Sequence, residues 1–213
     1  MGYPVIDVGY LLAPRGVGTM FAMMLVGRLS GRVDVRILIL LGLLLTSLSM
    51  WEMTLFNTDI GSWDIVRTGI IQGLGLGFIF VPLSTITFAT LAPRYRNEGT
   101  ALFSLVRNIG SSIGISVVIT YLAQRTQMNH EVFASYINPF NMALHQSGEI
   151  AKLDTVKGLV ELNGEVTRQA SLLAYLQDFR LMMWVSLCAI PLVLLLKSPK
   201  RDGSTGEGVP LLD

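Results

Sequence analysis

Five polar side chains interrupt stretches that are otherwise apolar: Arg15, Glu52, Gln72, Arg107 and Asn108. Ionisable or amide groups in such surroundings are costly, so they pair, face a wet cavity or line a solute pathway. Arg15 lies seven residues past Val8, about 10 Å into its apolar run at 1.5 Å per residue. Glu52 lies four residues short of Phe56, about 6 Å from the same boundary. Side chains lean toward their own helix N-terminus, which brings the two depths together. An Arg15–Glu52 ion pair is therefore expected. Arg107 leans toward the nearer boundary and is expected to snorkel there. Gln72, Arg107 and Asn108 are read as candidate pathway groups. No catalytic constellation accompanies them. The single cysteine, Cys188, excludes an internal disulfide framework and a cysteine-based zinc site. His130 and His145 are 15 residues apart with no cysteine nearby, so no metal ligand set and no cofactor are expected.

Glycine and proline mark the elements that must position these groups. Gly69, Gly73 and Gly77 recur every four residues, a ridge on which a second helix can approach backbone to backbone. Gly110 and Gly114 repeat the device, flanked by Ser112 and Ser116. The run GLGLG at 73–77 lacks the spacing of a nucleotide-binding loop. Pro82 removes an i→i−4 hydrogen bond from the same segment and is a candidate hinge. Ser84, Thr85 and Thr87 are expected to satisfy the carbonyls it frees.

Composition shows what surrounds these elements. Of 213 residues, 51% are hydrophobic and 15% charged, and the mean hydropathy is +0.55. A soluble domain carries about 25% charge. The net charge of +1 argues against a nucleic-acid partner. What remains is an all-α integral membrane protein. About 20 apolar residues cross a bilayer core, and five stretches qualify, about 8–27, 37–56, 65–91, 101–123 and 179–196. The continuous runs exclude the alternation of a membrane β-barrel. Residues 1–7 hold no Lys or Arg, so the first stretch is expected to be a span and not a leader.

Charge orients the spans. Arg28, Arg32, Arg36, Arg94, Arg96, Lys197, Lys200 and Arg201 fall on one side. The short segment 57–64 on the other side has no basic residue. The positive-inside rule then starts the chain outside and ends it in the cytoplasm. The organisation expected is four spans in 1–123, an external segment 124–177, a last span in 178–197 and a disordered polar tail 198–213. Within the external segment, Val156, Leu159, Val160, Val166, Ala170 and Leu173 recur at helical spacing. They predict an amphipathic helix over 154–175 that runs into the last span. A shorter helix is expected at 130–137.

In order, the segments YLLAPRGVGTM, GRLSGRVDVR, RTGIIQGLGLGFIFVPLSTITF and RNEGTALFSLVRNIGSSIGISV resemble the fourteen-span drug:proton antiporters of the major facilitator superfamily, of the EmrB/QacA type. INPFN at 137–141 is also like the EmrB branch. The resemblance implies the C-terminal part of a proton-driven exporter of amphipathic small molecules, multi-pass in the inner membrane and working by alternating access. It implies a missing N-terminal half that holds the usual proton-carrying acids, and a periplasmic adaptor protein as partner. Gly27, Leu29, Arg32 and Arg36 fit or nearly fit the superfamily's cytoplasmic gating motif. Gly31 stands where the motif has an acid, and Asp34 is the nearest substitute for that charge. Two alternatives stand beside this reading. One is a porter for another solute, and the other a non-transporting scaffold that binds a partner through its external segment.

Overall fold

The computed structural model describes residues 4–30, 32–58, 60–89, 91–138, 142 and 155–195, and five long helices hold most of these described residues. The tail 198–213, Gly31, His145 and residues 139–141 and 143–154, with most of INPFN, lie outside the described residues. Helix α1 is Val5–Leu29, α2 Val35–Met53 and α3 Ser62–Ala89. A 3-10 turn at Pro93–Tyr95 leads into α4, Arg96–Ser135, and α5 is Val156–Leu195. All five are long and apolar enough to cross a membrane.

Helices α1, α2 and α3 cover the first three apolar stretches to within a few residues. The last two exceed them. Helices α4 and α5 have 40 residues each, about 60 Å at 1.5 Å per residue, against a bilayer core of about 30 Å. The short helix expected at 130–137 is instead the last turns of α4. Neither glycine nor proline occurs between Ile115 and Asn138, so nothing breaks the helix where the apolar run stops. The predicted amphipathic helix and the last span are one unbroken α5, through Pro191.

The helices do not pack in chain order. Helix α3 lies between α1 and α2, α2 also packs on α5, and α5 packs on α4. The contact pairs fix direction. Gly18 meets Ile70 and Gly77 meets Thr19 and Ala22, so α1 and α3 run parallel. Gly42 meets Gly75 while Ser49 bonds Thr68, so α2 and α3 run antiparallel. One apolar cluster joins Ala22 and Val26 of α1, Leu38 of α2 and Phe78 of α3. A second joins Ile39 and Leu43 of α2 to Val193 of α5. Beyond the apolar stretches, α4 and α5 continue side by side as a hairpin. There Asn129 Nδ2 donates to the Ala170 carbonyl at 3.4 Å, and His130 Nε2 lies 3.0 Å from Asn163 Oδ1.

The predicted stripe on α5 is mostly not the packed face. Gly158, Ala170, Ala174 and Asp178 are buried, at multiples of four residues. Val156 and Val160 are 80% and 66% exposed. Small residues admit a second backbone, and branched ones at these positions do not.

Candidate functional site

The site is built by glycine. A Cβ added to Gly73 would overlap the Arg15 carbonyl oxygen and stand 3.1 Å from the Thr19 nitrogen. At Gly77 it would overlap the Ala22 methyl. On the opposite side of α3, a Cβ on Gly75 would come to 2.8 Å from the Gly42 carbonyl oxygen. Both flanking helices thus touch the α3 backbone. Gly69 differs from its neighbours on the ridge. A Cβ there would make only ordinary contact with Arg15 Cβ, at 3.7 Å. It leaves space instead.

That space is part of a cavity of about 500 Å³ where α1, α2, α3 and α5 meet. Its walls are largely apolar, with Leu12, Met50, Met53, Phe179 and Met182 among them, and Arg15 and Gln72 supply polar groups. Gln72 is 7% exposed, and its amide donates to Met50 Sδ at 3.9 Å. Thioether sulfur is a weak acceptor, so this contact leaves most of the amide's hydrogen-bonding capacity for another group. An apolar chamber with a few convergent polar groups is the usual form of a small-molecule site.

The expected Arg15–Glu52 pair is corrected. Glu52 Oε2 lies 3.3 Å from Arg67 Nη2, with side chains 20% and 52% exposed. The reason is the wedge of α3: α1 and α2 are consecutive, but α3 separates them and offers Arg67 to Glu52. Arg15 is left on the cavity side. Glu52, Asp64 and Arg67 line a separate, more polar cleft of about 500 Å³.

Other expectations shift as well. The Arg107 guanidinium lies 4.8 Å from the centre of the Phe80 ring of α3, a sideways cation–π contact in place of a reach to the boundary. The neighbouring Asn108 is exposed. Gly110 and Gly114 have no atom within 4 Å of where a Cβ would stand, so their ridge meets no described residue. Pro82 is buried within an α3 that continues past it. The hydroxyls near it do not bond the carbonyl it frees. Ser84 and Thr85 donate to the Val81 carbonyl, and Thr87 to that of Leu83. A helical hydroxyl reaches only three or four residues back, whereas the freed carbonyl belongs to Phe78. In the gating-like stretch Gly27 has open space where a Cβ would stand, and Leu29 packs against the first cluster. Arg32 is exposed. Asp34 precedes α2 without a side-chain cap, and it forms no salt bridge with a described residue. Arg36 is half-buried, its Nε without a partner among the described residues.

Sequence reasoning missed two features. Asp178 is 2% exposed, with Oδ1 lacking a partner among the described residues. Its signal was register: an acid four residues beyond Ala174 on the small-residue face. The Ser49 hydroxyl donates to the Thr68 carbonyl at 2.8 Å, joining α2 to α3 in the interior.

Known proteins resemble this chain along most of its length. The chain is 26% identical over 210 residues to the fatty acid resistance protein FarB of Neisseria gonorrhoeae, covering 97% of this chain and 41% of the relative. It is 26% identical to the probable multidrug resistance protein EmrY of Escherichia coli, covering 93% and 40%. The multidrug export protein EmrB of Escherichia coli is 24% identical, with 97% and 41% covered. The chain thus spans about two-fifths of the length of these relatives. The model of the Major Facilitator Superfamily matches residues 1–130. Matched over more than half its length, and built of helices that cross a membrane, this chain belongs to the Major Facilitator Superfamily.

Proposed function

We propose that the chain is the C-terminal part of a proton-driven exporter of amphipathic small molecules that works by alternating access. The cavity between α1, α2, α3 and α5 carries this reading. It offers apolar walls with three methionines, Met50, Met53 and Met182, for adaptable contact. Arg15 and Gln72 supply orientation. The names of EmrB and EmrY support a drug-exporting role, and that of FarB extends the class to fatty acids. Transport, and not catalysis, is the activity proposed.

In this reading the N-terminus is outside and the C-terminus in the cytoplasm. The remainder of the transporter completes the pathway, because such sites form between two repeats. The hairpin of α4 and α5 projects outside, where exposed Val156 and Val160 offer apolar contact to a periplasmic adaptor.

The test grafts this chain in place of the corresponding two-fifths of Escherichia coli EmrB. Efflux of a lipophilic dye should appear, collapse with a protonophore, and fall about tenfold in Arg15→Gln and in Gln72→Leu. Dye efflux indifferent to the cavity substitutions would overturn the assignment of the site. Efflux that outlasts the proton gradient would overturn the coupling. Efflux by this chain alone would overturn the need for a second part.

A further inference from the structure

A second recess is independent of the cavity and of the export reading. It is an open groove of about 770 Å³ between α4 and α5. Its two ends differ in chemistry. At one end stand Arg125 of α4 and Arg180 of α5, with Gln177 beside them. Along the rest of the groove α5 presents Trp184, Val185 and Leu192, 56%, 62% and 65% exposed.

No described carboxylate neutralises the two arginines, for neither has one within salt-bridge distance. Arg125 is held over the Tyr121 ring, 4.9 Å from its centre, which fixes its direction. Gln177 Oε1 is buried without a partner among the described residues. Turning that amide puts its NH₂ in the same place, as a third donor.

The dimensions match a lipid. Arg125 and Arg180 sit at the adjoining ends of the apolar stretches of α4 and α5. Tyr121 and Trp184 follow one turn further into those stretches, and aromatic side chains there suit an interfacial belt. From Arg180 to Leu192 the groove runs about 18 Å, close to the roughly 15 Å depth of one leaflet. Two guanidinium forks suit a phosphate, which they can grip bidentately. A zwitterionic headgroup would carry its own cation against them.

We propose that the groove between α4 and α5 holds an anionic phospholipid, its phosphate between Arg125 and Arg180 and one acyl chain along α5 from Trp184 to Leu192. The site needs only that these helices sit in a bilayer, so it stands whether or not the chain exports drugs.

Trp184 is its own reporter. With Trp51→Phe and Trp63→Phe, the chain is placed in phosphatidylcholine vesicles. A small share of the lipid is brominated, as phosphatidylglycerol or as phosphatidylcholine. The anionic lipid should occupy the groove about fivefold in preference and quench Trp184 more strongly in proportion. Arg125→Gln with Arg180→Gln should erase the difference. Arg125→Lys with Arg180→Lys should keep part of it. A readout without substitutions is native mass spectrometry of the unaltered chain, which should retain phosphatidylglycerol over phosphatidylcholine. Equal retention and equal quenching would overturn the proposal and mark the groove as filled by protein or unselective lipid. Displacement of phosphatidylglycerol by brominated oleate at a lower mole fraction would overturn it in favour of a free fatty acid anion.

Discussion

Helices α1, α2 and α3 are joined backbone to backbone, whereas α4 lies along α5 and buries none of its own residues. Both regions carry glycines four residues apart. Gly73 and Gly77 are filled by α1 to the point of overlap, while Gly110 and Gly114 face open space. The same spacing therefore does different work. Between α1 and α3 it closes a joint. On α4 it leaves both glycines open, with no described atom against them. In lipid, apolar surface alone does not draw helices together, so close backbone contact decides which interfaces are tight. The cavity lies in the tight region and the lipid groove in the loose one.

The comparison breaks most readily at glycine. Gly73→Ala should destabilise the chain by about 3 kcal/mol, because the methyl meets backbone that cannot move aside. Gly110→Ala should stabilise by up to about 1 kcal/mol, since alanine is the better helix former where space is free. Unfolding in mixed micelles, followed by helicity, measures both. Equal losses at the two positions would show that the α4 ridge is packed after all. Repeating Gly110→Ala within a complete transporter sharpens the contrast: a loss appearing only there would mean that another helix covers α4.

Asp178 comes next, at the one charged position of the buried α5 face. A buried carboxylate oxygen without a partner is a net cost. Asp178→Leu should stabilise by about 2 kcal/mol in the same assay. A large destabilisation would mean that the carboxylate has a partner. If stability rises while proton-coupled efflux in the EmrB chimera fails, the group is retained for transport.

The partner of Glu52 gives a smaller effect. Arg67 is half-exposed, so water screens the pair, and its coupling should be about 0.5–1 kcal/mol. A double-mutant cycle of Glu52→Gln with Arg67→Gln measures that term. The cycle with Arg15→Gln should be additive. Coupling to Arg15 and not Arg67 would restore the α1–α2 contact that α3 interrupts.

These outcomes bear on how much of the fold is legible in the residues alone. Spans were legible because apolar length in a bilayer is a one-dimensional property. The Gly73–Gly77 joint was legible because small residues at helical spacing permit close packing, but the spacing did not tell it from the open ridge at Gly110 and Gly114. The Glu52 partner was not, because it depends on which helix stands between α1 and α2. Short loops suggest that chain neighbours are spatial neighbours, and Gly42 with Gly75 overrides that by drawing α3 in between. The lengths of α4 and α5 were missed for another reason: hydropathy falls at the membrane boundary, but helicity ends only at a breaker.

Arg107 provides the finest test of the two-region view, because it is a link between them. Its guanidinium reaches from the loose α4 to Phe80 of the tight trio. An arginine free to snorkel would place its charge among headgroups and be indifferent to the residue at 80. An arginine held on the ring gains about 0.5–1 kcal/mol at an exposed site. Phe80→Leu keeps an apolar side chain there and removes only the ring face. Arg107→Gln removes the charge. If the contact holds, the double variant loses less stability than the two single losses added together, by about that amount. Strict additivity would return Arg107 to the headgroups and leave the edge-to-face contact of Phe103 with Phe88, at 5.6 Å between ring centres, as the ring contact between α4 and α3.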